Sequence, residues 1–256
     1  MKKIIIAFLL VLGFTAFAQS IKQGGVTVEL TNGHNVIAIE SQHDTYSTLF
    51  AVDYQNPEVA LAYLDRENVN EKGFKRPTSF TVQNAPKKVK VRPADFTNTG
   101  FERGHMIPND MFDYNVDKQK DTFSVYNISP QYPECNADGS AWWKIEQQIE
   151  LRAWDYGRVY VITGPILDKK PNQYEKISAH EIVVPEKYYK ILISYNTDAD
   201  IDEFESIEIY FFSNTPASEK ITENCLQIAG NREADTIKNA IAWAKTYLNL
   251  KITLDD

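Results

Sequence analysis

The chain has 256 residues and a formal net charge of −8 at pH 7. Its length suits one domain with a sizeable core. The acidic balance excludes a protein that coats nucleic acid by bulk charge, so any polyanion has to be met by a local patch.

Residues 1 to 18 carry Lys2 and Lys3, an apolar run from Ile4 to Phe17, and the small residues Ala16 and Ala18. This is the three-part pattern of a secretory signal peptide with cleavage after Ala18, and the run is short for a membrane span. An uncleaved anchor is the other reading of such a segment. The expectation is a secreted or periplasmic protein without stable membrane association, folded as one domain over residues 19 to 256. Its oligomeric state is left open.

Beyond the leader, short β-branched and aromatic runs recur: GVTVEL, NVIAIE, DTFSVYNI, RVYVITGPI, YYKILISY and SIEIYFF. Several alternate with period two and read as strands. Turn-forming clusters at 97–100 and 213–218 punctuate them. From Lys72 to Arg92 the chain holds Lys72, Lys75, Arg76, Lys87, Lys88, Lys90 and Arg92 with no acid among them. Such a run is a solvated face or a phosphate-binding strip. Ala141 to Tyr156 repeats apolar residues every third or fourth position and stops at Gly157, which predicts a helix. Ala234 to Leu248 predicts a second helix, with Ile237, Ile241, Ala244 and Leu248 on its buried stripe. The fold class is therefore α+β, with a mixed, mostly antiparallel sheet and packed helices. Cys135 and Cys225 are the two cysteines; they are either joined, as an oxidising compartment allows, or buried as free thiols.

The densest chemistry lies in FERGHMIPND, residues 101 to 110, followed by YNISPQYPECN and WWKIE. Arg103, Gly104, His105, Asn127, Pro130, Gln131, Asn136, Trp142 and Glu146 fall in one order. Together they resemble the DNA/RNA non-specific endonuclease family, whose active site is a ββα-metal finger. The resemblance runs from about His43 to Asn214. It implies a metal-dependent endonuclease that cuts DNA and RNA to 5′-phosphate ends by gripping the phosphate backbone. Breaking a phosphodiester requires a base for water, a cation for the developing charge and help for the leaving oxygen. His105 suits the first task.

By resemblance, Asn136 is the sole direct protein ligand of a divalent metal, Mg²⁺ or alternatively Mn²⁺, and Glu146 anchors the metal's waters. Arg103 clamps a phosphate oxygen, a salt bridge to Glu102 being the alternative. Asn127 braces the histidine strand. Arg76 is the candidate second arginine, with Arg66 and Arg92 competing for the part and Arg152 behind them. Three features depart from the family pattern. Glu102 replaces the usual aspartate, the step from Asn136 to Glu146 is two residues longer, and the chain beyond Asn214 has no match. A phosphodiesterase for small esters and a non-catalytic nucleic-acid-binding module are the competing readings.

Overall fold

The computed structural model describes residues 19–69, 73–82, 85–197, 203–216, 225–231 and 234–255, with backbone alone for 225–231 and 234–236. The leader expected over residues 1 to 18 lies outside them. No helix among the described residues is long and apolar enough to cross a membrane.

In chain order the strands are β1 Ser20–Gln23, β2 Val26–Leu30, β3 Val36–Glu40, β4 Ser47–Ala51, β5 Asn56–Asp65, β6 Glu102–His105, β7 Ile128–Gln131, β8 Gly157–Pro165, β9 Lys176–Ile177, β10 Ile182–Val183, β11 Lys187–Asn196, β12 Glu203–Ser213, β13 Cys225–Asn231 and β14 Leu250–Leu254. The helices are α1 Val116–Thr122, α2 Pro133–Asn136, α3 Ala141–Tyr156 and α4 Ala234–Tyr247. Seven strands form the central sheet in the order β13-β12-β11-β8-β5-β4-β3, and every pairing between its neighbours is antiparallel. A three-stranded sheet, β1-β2-β14, and the ribbons β6-β7 and β9-β10 complete the set.

Strand alternation divides the interior into two cores. On β8, Val159 and Val161 face one core while Tyr160 and Ile162 face the other. The first core includes Trp142, Ile149 and Ala153 of α3 and Ile128 of β7. The second is closed by β1, β2 and β14 and by Ala240, Ala244 and Leu248 at the C-terminal end. On β11, Tyr188 and Leu192 face the α3 side, so the same alternation turns Lys190 toward α3. One face of the sheet therefore carries the helix of the sequence motif.

The helix expected over Ala141–Tyr156 is present with those bounds; Ser140 caps its first turn by accepting from the Trp143 N–H at 3.1 Å. The run DTFSVYNI is corrected. Asp121 and Thr122 end α1, residues 125–127 form a 3₁₀ turn, and β7 begins only at Ile128. The segment is apolar because it is buried on all sides. The Asp121 carboxylate is held by the His43 and Thr45 loop, and Thr81 exchanges backbone hydrogen bonds with Phe123 and Val125. A short buried run does not by itself distinguish a strand from such a path.

Candidate active site

The ribbon β6-β7 places the motif. Its register pairs Glu102 with Gln131 and His105 with Ile128. A Cβ on Gly104 would stand 2.0 Å from the Gln131 amide oxygen, so the glycine lets that side chain lie across the ribbon. Immediately after the histidine, Asn127 fixes the chain. Its side-chain oxygen accepts from the Ile107 N–H at 3.0 Å, and its amide nitrogen donates to the Ile107 and Thr122 carbonyls at 2.9 Å each. Asn127 thus sits behind His105, fully buried, in a bracing position.

The His105 ring is 8 % exposed and packs against Phe80 and Phe123, with ring centroids 5.2 and 4.8 Å away. Its Nε2 has no hydrogen-bond partner. Burial, followed by the charges of Arg76 and Lys190, pushes its pKa down to about 3. The imidazole is therefore neutral at physiological pH, with a free ring nitrogen.

His105 lines a polar cleft of about 100 Å³ together with Arg76, Asn136 and Glu146. Four of the six site residues expected from the sequence are thus brought together from four separate segments. Asn136, at the end of α2, donates its amide N–H to a Glu102 carboxylate oxygen at 2.6 Å. A carboxylate only accepts, so this bond turns the Asn136 carbonyl away from Glu102. Glu102 is consequently engaged with Asn136, and the salt bridge considered for it with Arg103 is replaced by that contact. The longer step between Asn136 and Glu146 is absorbed in a turn at Gly139, where φ is +84°, and in the Ser140 cap. Both side chains still reach the same cleft.

Arg103 is placed differently. Its guanidinium donates to the Pro93 carbonyl at 3.1 and 2.7 Å and lies 5.7 Å from the Phe80 and Phe96 ring centroids. It shares Phe80 with His105 but does not line the cleft. Arg76 does, with its guanidinium 5.5 Å from the Phe123 centroid. Of the competing arginines, Arg66 caps the end of α3 through the Trp154 and Asp155 carbonyls, Arg92 donates to Val89 and Val91, and Arg152 pairs with Glu208.

Four residues escaped the sequence reading. Asn109 is 5 % exposed, donates to the Asp110 carboxylate at 2.5 Å and leaves its own carbonyl oxygen unpartnered at the cleft. Asp110 adds a carboxylate, as does Asp138. Adjacency to the histidine motif was the available signal for Asn109 and Asp110. Lys190 is the fourth: it is wholly buried, donates to Glu146 Oε1 at 3.1 Å and lies 3.8 Å from the Trp142 ring centroid. Burial pushes the Glu146 carboxyl up, and the Lys190 ammonium draws it back. Cys135 is a buried free thiol, pushed up to about 12 by burial and then by the Glu146 charge; the side chain of Cys225, the partner considered for it, lies outside the described residues.

A hard divalent ion takes oxygen ligands and retains waters. The cleft offers carbonyl oxygens from Asn136 and Asn109 beside carboxylates from Asp110, Asp138 and Glu146. Among the described residues no cluster of three or more His, Cys, Asp or Glu side chains forms a ready cage. The donor set thus fits an ion held by few protein oxygens and much water, and the unpartnered Asn109 oxygen is available as one of them.

The family model for DNA/RNA non-specific endonucleases matches residues 24–235. The chain is 29 % identical to human mitochondrial endonuclease G over 135 residues, which are 50 % of this chain and 43 % of that protein. It is 23 % identical to the mitochondrial Nuclease 1 of Schizosaccharomyces pombe over 193 residues, 72 % of this chain and 59 % of that one. The chain therefore spans about half the length of these curated relatives. Its fold matches an EndoG–EndoGI crystal structure with a TM-score of 0.62 at 20 % identity, over 85 % of this chain and 84 % of that chain. The relatives are named as mitochondrial nucleases, which speaks against the secreted or periplasmic location expected from residues 1 to 18, and that expectation is withdrawn. With the family pattern matched across most of its length, the chain belongs to the DNA/RNA non-specific endonuclease family.

Proposed function

We propose that the protein is a metal-dependent endonuclease that hydrolyses phosphodiester bonds of DNA and RNA and leaves 5′-phosphate ends. The observation that carries this reading is the convergence of Arg76, His105, Asn136 and Glu146 on one polar cleft, with His105 Nε2 buried and unpartnered. His105 takes the proton of the attacking water on its free ring nitrogen, and Asn127 holds the backbone that aims it. Arg76 meets the phosphate at the cleft, while Arg103 turns from Pro93 toward the neighbouring phosphate. Asn136, its carbonyl turned outward by Glu102, would hold Mg²⁺ or Mn²⁺, with Glu146 anchoring the ion's waters. When bound, the ion supplies Lewis-acid and leaving-group stabilisation.

Digestion of supercoiled plasmid and structured RNA by the purified protein, with Mg²⁺ and with EDTA, tests the reading. Both substrates should be cut, EDTA should stop cutting, and His105→Ala should lower the rate at least about a hundredfold. A folded, Mg²⁺-supplied protein that cuts neither substrate would refute it.

A further inference from the structure

We infer that Lys190 is the positioning residue for Glu146, a buried cation whose task is to hold that carboxylate aimed at the metal waters of the cleft. The inference rests on the endonuclease reading above and adds a residue to it. Lys190 is 0 % exposed, yet it stands on strand β11 of the central sheet, where its neighbours on the same face, Tyr188 and Leu192, are core residues. Its two contacts that matter are the Trp142 ring face, 3.8 Å from Nζ, and Glu146 Oε1, 3.1 Å away. Trp142 and Glu146 are one helical turn apart on α3, so both address the same point on the sheet.

A buried ion pair is weak evidence for stability, because well-packed apolar residues in its place are often neutral or stabilising. What the pair does provide is a fixed direction for the Glu146 carboxylate, held from below by an ammonium that is itself clamped against the Trp142 ring. The ammonium occupies Oε1, which leaves Oε2 as the acceptor at the cleft. A rotated Glu146 would lose the orientation that outer-shell partners of a metal supply. Lys190 also acts on His105 through its charge, so activity alone would mix two effects. Metal affinity separates them.

Mn²⁺ binding, read as free Mn²⁺ by electron paramagnetic resonance, should be measured for the wild type, Glu146→Gln, Lys190→Met and the double variant, with plasmid cleavage alongside. Each single variant should weaken Mn²⁺ binding about tenfold or more. The double should be no weaker than the weaker single, because Lys190 has nothing left to position, and Lys190→Arg should recover part of the loss. Should Lys190→Met fail to fold, Lys190→Met/Glu146→Leu removes both charges; it should melt no lower than the wild type and bind Mn²⁺ as poorly as Glu146→Gln. Folded variants in which Lys190→Met binds Mn²⁺ normally, or in which the two losses multiply, overturn the inference and leave the nuclease standing. A wild type that neither binds Mn²⁺ nor cuts overturns both.

Discussion

His105 illustrates how one residue couples chemistry to stability. A histidine held near pKa 3 in the fold and near 6.5 in the unfolded chain binds more protons when unfolded between those values. Stability therefore rises with pH through that window; it is fully present above pH 6.5 and is lost as the pH falls toward 3. The loss attributable to His105 is on the order of a few kcal/mol. His34 acts in the opposite sense, since its hydrogen bond to Glu58 holds its pKa up and its contribution fades as pH rises. The two are separated by substitution. Thermal unfolding of His105→Gln should be less sensitive to pH between 4 and 6.5 than that of the wild type, and equal slopes would show that the buried ring is not the acid-labile element. This same burial keeps the nitrogen unprotonated, so the residue proposed as the base is one that the fold holds at a cost.

At the scale of elements, the β6-β7 ribbon depends on the absence of a side chain at Gly104. The Gln131 amide, wholly buried, fills that space, and its nitrogen and oxygen have no hydrogen-bond partners. Gly104→Ala should lower stability by about 1–3 kcal/mol, as overpacking does. Adding Gln131→Ala should return most of it, as judged by urea midpoints; a double variant as weak as the single would mean that the clash lies elsewhere. Such pairings explain what was legible in the sequence and what was not. The α3 helix was legible to its ends because Ser140, its apolar spacing and Gly157 are local signals. The strands β4 and β5 were not, since Ser47–Ala51 is buried throughout and β5 nearly so, which removes the alternation that marks a strand. Asn136 and Glu146 were legible from order along the chain. Lys190 was invisible to it, because its meaning arises only when β11 is laid under α3.

Across the whole molecule, an acidic protein has to grip a polyanion locally. The basic run makes this feasible by alternation: Val89 and Val91 are buried while Lys87, Lys88 and Lys90 are exposed, so the lysines stand together at the surface. Gln55 pins this arrangement by accepting from the Lys90 N–H at 2.6 Å and donating to the Lys88 carbonyl at 3.1 Å. The run then continues to Pro93, whose carbonyl holds Arg103, so the strip is continuous with the arginine beside the histidine. Each phosphate neutralised contributes about 0.9 to the logarithmic salt dependence of duplex binding. Replacing Lys87, Lys88 and Lys90 by Gln should lower that slope by up to about 2.7, with no change in which sequences are cut, because phosphate contacts carry position and not base identity. Binding of duplex DNA across a salt series, under EDTA to prevent cleavage, measures the slope directly. An unchanged slope would place the backbone contacts elsewhere on the surface and return these lysines to the role of a solvated face.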